Sequence, residues 1–218
     1  MKLPFTTEEF LKVFETYNQA VFPMQLILYL LALLIIYLCI KKKSWSDKTI
    51  SAMLSFLWIW MGIVYHIIFF TTINKAAYLF GALFILQGGL FIWKGVVQNK
   101  LKFNFTKSIY GLVGIVLMVF ALIIYPIIGY ALGHVYPVSP TFGLPCPTTL
   151  FTFGMLLLLN GKYPKMILII PFIWAIIGFS AALSLGIKED ISLLISAIIV
   201  LGLLIGRNRK INALNKKP

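Results

Sequence analysis

Along most of this chain the apolar residues come in unbroken runs, and the polar residues gather in short clusters between them. A hydrocarbon layer of roughly 30 Å takes about 20 residues of α-helix at 1.5 Å per residue, so predominantly apolar runs near that length are the units to look for. Seven are present, at residues 23–40, 49–70, 76–97, 108–132, 148–160, 164–185 and 191–206. Continuous rather than alternating apolarity speaks against strands, and an open sheet cannot satisfy its backbone in lipid. The pattern predicts an all-α membrane protein with seven transmembrane helices. Its fifth run has only thirteen residues and follows a proline-rich loop. Such a helix either begins below the membrane surface or requires the bilayer to thin.

Residues 1–22 follow a different period. In "TTEEFLKVFETYNQAVF" Thr6 or Thr7 can cap a helix, acids occupy its first turn, and Phe10, Val13, Phe14 and Tyr17 share one face. This is an amphipathic helix for the membrane surface, or else a solvated lead into the first span. No basic start followed by an apolar core marks a cleaved signal peptide here. The organisation expected is one polytopic domain over 1–218: the surface helix at 1–22, a seven-helix bundle at 23–206, and a basic tail at 207–218.

Composition agrees, with 61% hydrophobic and 11% charged residues and a mean hydropathy of +0.97. Charge then orients the chain. With seven crossings, the basic residues at 41–48, 94–107, 162–165 and 207–217 all fall on one side, while five of the six acids fall on the other. The positive-inside rule makes the basic side cytoplasmic, with the N-terminus outside and the C-terminus inside. It also accounts for the net charge of +13 without nucleic acid, for which no basic, aromatic-bearing module is present.

The candidate chemistry lies at the outer level. Pro137, Pro140, Pro145 and Pro147 break regular helix before the fifth run, each lacking a backbone donor. A helix that starts there at membrane depth would aim unpaired N–H groups into a cavity and suit an anion or a small polar ligand. Alternatively the segment is a rigid plug that binds nothing. His66 lies on a helical face with Ser55 and Gly62, near the outer end of the second run. It is either a ligand group or a hydrogen-bond partner for a neighbouring helix. The candidate ligand-binding set is Tyr65, His66, Asn74, His134, Tyr136, Thr141, Cys146, Thr148 and Thr149, at the outer ends of spans two, four and five. Cys39 and Cys146 lie at opposite ends of the bilayer and cannot pair. Cys146 is then a small buried hydrophobe or an exposed redox-active thiol.

Several activities are disfavoured. The last run holds no lysine for retinal, the spans hold no acid for proton transport, and no phosphate loop, HExxH, GxSxG or repeat is present. "NFT" at 104–106 faces the cytoplasm. Gly81, Gly88 and Gly95, and Gly202 and Gly206, are expected as helix-packing seams.

The segments "YHIIFFTTINKAAYLFGALFILQGG" (65–89) and "GHVYPVSPTFGLPCPTTLFTFG" (133–154), together with the N-terminal "PFTTEEFLKVFETYNQAV", resemble a family of bacterial polytopic membrane proteins known only as a domain of unknown function. Many relatives read Asn-Pro-Ala-Ala where this chain has Asn74, Lys75, Ala76 and Ala77, which should soften the start of the third span. The resemblance implies the bacterial inner membrane and supplies no activity, cofactor or catalytic residue. Two function classes follow from the residues: a small-solute permease or channel, and a non-catalytic sensory or assembly protein. A metal- or haem-binding membrane protein with His66 as its deep ligand comes third. A polar cavity running past His66 would favour transport, and a dry bundle the second class.

Overall fold

Thr6 starts the first helix. Its hydroxyl accepts the Glu9 N–H and the Glu9 carboxylate accepts the Thr6 N–H, a reciprocal cap on α1 (Thr7–Val21). The structure is a computed structural model that describes residues 3–161 and 163–214. α1 stops at Phe22 and Pro23, where the proline lacks a donor and Phe22 is extended, and α2 (Met24–Ile40) departs at 86°.

α3 covers Ser46–Trp60 and continues through a wider π-helical stretch, Met61–Phe69, and a 3-10 turn, Phe70–Thr72. α4 (Ala77–Phe91) also ends in π-helical turns, Ile92–Val97. α5 begins behind Ser108, whose hydroxyl accepts the Gly111 N–H; it comprises Ile109–Val119, a widened stretch Phe120–Ile124 and Tyr125–Ala131. The widening comes just before Pro126, which offers no N–H to the turn behind it. α6 (Pro145–Leu157), α7 (Met166–Leu185), a 3-10 turn at Lys188–Asp190 and α8 (Ile191–Leu214) complete the chain. Among the described residues there is no strand, only two isolated β-bridges.

Every apolar run is therefore a helix. Among the described residues, five helical segments are long and apolar enough to cross a membrane: Ser46–Thr72, Ala77–Val97, Ile109–Ala131, Met166–Leu185 and Lys188–Arg209; a sixth arises if α1 and α2 count as one broken span. α2 has 17 residues and α6 has 13. α6 is the central element. All its residues except Cys146 are buried, and it packs on α5, α7 and α8.

Elements α2 to α8 run alternately between two ends. At the lysine-rich end the buried Asp47 carboxylate holds the Lys42 ammonium, the Phe103 N–H at 2.8 Å and the Lys102 ammonium at 3.7 Å. Residues 99–107 are thereby folded beneath α6, where Asn104 N–H donates to Leu158 O at 2.9 Å and Asn160 N–H to Lys102 O at 2.7 Å. Arg207 finishes the job. Its guanidinium donates to Leu157 O at 3.2 Å and Leu159 O at 2.6 Å, satisfying carbonyls left over at the C-terminus of α6.

α8 continues past residue 207 to Leu214, and Arg207 turns into the bundle. One expectation is corrected here. The glycine seam holds at Gly81 and Gly88, where a Cβ would fall 2.8 Å from Gly62 O and 3.0 Å from Ser55 O, and Gly95 abuts Ser51; Gly202 and Gly206 have nothing within 4 Å of that position.

Candidate functional site

The opposite end carries α1 and the proline-rich segment. Prolines keep that segment out of regular helix, so its carbonyls need partners from elsewhere in the chain. Asn18 supplies them. Its Nδ2 donates to Pro137 O at 2.7 Å and Ser139 O at 2.8 Å, its Oδ1 accepts the Thr141 hydroxyl at 2.8 Å, and its backbone carbonyl accepts Gln25 Nε2 at 2.7 Å and the Tyr136 hydroxyl at 3.3 Å. Gly143 has φ +100°, where a side chain would be strained and would also meet Leu28. Tyr17 hydroxyl donates to Gly143 O at 3.3 Å and accepts Trp60 Nε1–H at 2.9 Å. The buried face of α1, Phe10, Val13, Phe14 and Tyr17, is the face its period marks out.

α6 then starts with Pro145, Cys146 and Pro147. Two of its first three residues have no N–H, and the Thr148 N–H already donates to Leu144 O at 3.2 Å. Cys146 is left as the sole free first-turn donor. The helix terminus that suggested an anion site is thus nearly stripped of donors by the prolines that precede it.

Beside this terminus lies a cleft of about 580 Å³, walled by α1, the outer turns of α3 and α4, the start of α6, and α7 from Trp174 to Ala181, with Asp190 at one side. Its wall is mainly aromatic and aliphatic, including Phe10, Phe14, Tyr65, Phe70, Phe80 and Trp174. Pro4, Ala76, Ile176 and Ser180 are its exposed rim, so it opens between α4 and α7.

Two acids converge here from the turn before α8. Glu189 is 2% exposed and Asp190 5%. Glu189 Oε1 lies 2.6 Å from His134 Nδ1. The Tyr125 hydroxyl donates to Asp190 Oδ1, and Cys146 lines the same cleft as Asp190. Among the described residues no lysine, arginine or histidine forms an ion pair with Asp190. A Cβ at Gly178 would sit 2.9 Å from Leu193 Cδ2, 3.6 Å from Cys146 Sγ and 3.8 Å from Trp174 Nε1, so the glycine lets α7 pack closely on α8 beside these polar atoms.

The candidate residues divide accordingly. Tyr65, Asn74 and Cys146 line the cleft. Asn74 Oδ1 also accepts the Ala76 N–H at 3.0 Å, in the turn just before α4. Thr141 and Tyr136 serve Asn18, Thr148 hydroxyl accepts the Gly143 N–H at 3.2 Å, and Thr149 donates to Pro145 O at 2.7 Å. His134 pairs with Glu189. His66 is fully buried on the face it shares with Ser55 and Gly62, and neither ring nitrogen has a partner. Its ring centroid lies 4.6 Å from Phe84 and 5.1 Å from Trp174. Neither histidine is on the cleft wall. Among the described residues no three His, Cys, Asp or Glu side chains gather as a metal set.

Sequence reasoning missed Asp190, Tyr125, Trp174 and Asn18. Both acids of the pair were expected in the outer solvent; the structure buries them because His134 and Tyr125, remote in the chain, close over them. The one sequence signal was their position directly before an apolar run.

Residues 7–215 match the profile of a family of unknown function (DUF6064), and the chain belongs to that family. No curated protein and no solved structure matches it.

Proposed function

We propose that this DUF6064 member is a polytopic protein of the bacterial inner membrane that binds, without conducting it, a small cation with an apolar body at its outer face. The lysine-rich end is cytoplasmic by the positive-inside rule, which places α1 and the cleft outside. α2 to α8 make seven crossings. The shortness of α6 then needs no thinned bilayer: it is about 20 Å long and buried at every position but Cys146, so protein rather than lipid sets its length.

One observation carries the functional reading: the buried Asp190 carboxylate borders an aromatic cleft and, among the described residues, forms no ion pair. An unpaired buried charge is costly. A ligand ammonium would offset that cost, and the faces of Tyr65 and Trp174 would add cation–π attraction. A cation suits this wall better than the anion or small polar solute suggested by the α6 terminus, whose donors are missing. Binding without conduction follows from what lies beneath. Leu150 to Leu157 of α6 are at most 1% exposed, Trp58 Nε1–H is bonded to the Thr152 hydroxyl at 3.0 Å, and His66 sits among rings. This is the dry bundle of a sensory or assembly protein rather than of a permease.

The test is thermal stability of the purified protein with benzyltrimethylammonium. At about a hundredfold excess over Kd the ligand contributes ~2.7 kcal/mol, and Tm should rise by roughly 5–10 °C for a chain of this size. Benzoate should give no shift, and Asp190→Asn should abolish the shift with benzyltrimethylammonium. An equal shift with benzoate, or one untouched by Asp190→Asn, contradicts the reading.

A further inference from the structure

A second hollow lies on the flank of the bundle. It has a volume of about 420 Å³, runs between α7 and α8, and has no polar surface; Phe172, Ile176, Leu194, Ala197 and Leu201 are among its lining residues. Ile176 also lines the cleft beside Asp190. The two hollows therefore share one lining side chain, 62% exposed on the surface of α7. From Asp190 the α8 axis rises roughly 16 Å to Leu201 at 1.5 Å per residue, a length that a dodecyl chain covers.

We infer that the ligand is a single-chain ammonium amphiphile, with its head against Asp190 and its hydrocarbon tail laid past Ile176 into the α7–α8 groove. This rests on the proposed outer cation site and specifies its ligand class. The charge distribution selects the head group. The cleft presents a carboxylate and aromatic faces, which favour an ammonium and repel a phosphate ester. The groove selects the tail, because its residues are aliphatic or phenyl and offer a head group nothing to bond. A short cation would leave the groove to bulk lipid. A long one bridges both hollows past Ile176, from the buried carboxylate to the apolar flank.

The probe is a dodecyltrimethylammonium carrying a diazirine at its tail end, irradiated with the full-length protein in phospholipid nanodiscs and mapped by peptide mass spectrometry. Adducts should concentrate on α7 from Leu168 to Ile176 and on α8 from Leu194 to Leu201. They should fall at least tenfold with excess benzyltrimethylammonium, which competes for the head site without any mutation. They should also fall with Leu201→Trp, a change at a 44% exposed position that blocks the groove without disturbing the core. Adducts spread as densely over the exposed faces of α2, α4 and α5, or groove adducts indifferent to the competitor, would mean surrounding lipid-like contact only and would overturn the inference. If that happens while benzyltrimethylammonium still raises Tm in an Asp190-dependent way, the outer cation site stands and only the tail assignment falls. If the Tm shift is absent as well, both fall together.

Discussion

Gly154→Leu should leave no monodisperse folded protein, and Gly154→Ala should lower Tm by roughly 2–12 °C. The reason lies where α5 crosses the central helix. A Cβ at Gly154 would stand 2.6 Å from Gly114 O, 2.7 Å from Met118 Cγ and 3.3 Å from Met118 N, and one at Gly114 would stand 2.9 Å from Gly154 O. Two of the obstacles at Gly154 are backbone atoms, which cannot rotate away. Relief requires α5 and α6 to separate, and α6 is enclosed by α5, α7 and α8. Overpacking by one methyl costs about 1–3 kcal/mol, or ~2–4 °C of Tm per kcal/mol at this chain length. A leucine needs far more room. Glycine within a helix costs about 1 kcal/mol relative to alanine, a loss the close approach must outweigh. Gly202→Leu is the control, since nothing lies within 4 Å of a Cβ there. It should leave Tm unchanged or raise it by up to about 4 °C, because an open helical position only gains the helix propensity that glycine lacks. Equal tolerance at 154 and 202, read by size exclusion and thermal melting, would refute the central place of α6.

Asn18→Ala should cost about 2–4 kcal/mol and loosen the whole α1 end. The substitution removes both donors to Pro137 O and Ser139 O and the acceptor for the Thr141 hydroxyl. Each buried group left unpaired costs about 1–3 kcal/mol, with Pro137 at the lower end because it is only half-buried. Asn18→Asp should do no better. It keeps the acceptors, loses both donors and sets a carboxylate against two carbonyl oxygens. Hydrogen exchange over residues 138–144 should accelerate in both variants while α3 and α5 stay protected. Unchanged exchange there would show that the proline-rich segment holds its own shape and that Asn18 merely sits beside it.

Much of the fold was legible in the residues, and for definable reasons. The positions of the helices follow from apolar runs, the cap at Thr6 from its Glu9 partner, and the buried face of α1 from its 3.6-residue period. Lipid exposure was less visible. Hydropathy registers that a run avoids water but does not separate a run facing lipid from one facing protein, so the fifth run did not reveal that α6 is enclosed by its neighbours. Its threonines carried a hint: Thr149 and Thr152 turn their hydroxyls back to Pro145 O and Thr148 O, which lets polar residues sit on a buried helix. The site was legible only in part. Cys146, Tyr65 and Asn74 could be placed near it because proline and apolar patterns mark the end of the bundle at which they fall. Asp190 could not, since its burial depends on Tyr125, 65 residues away in the chain. The same holds for Asn18, whose partners at 137–141 are over a hundred positions distant. Contacts of that range are set by packing and leave no local pattern.

Binding without conduction is tested most directly in sealed proteoliposomes with radiolabelled benzyltrimethylammonium, a permanent cation that crosses lipid poorly. The expected result is saturable retention of about one ligand per outward-facing protein, complete at the first time point, displaced by unlabelled ligand and absent with Asp190→Asn. Label that accumulates in the lumen with time, beyond one per protein and dependent on the protein, would contradict it and make the chain a permease.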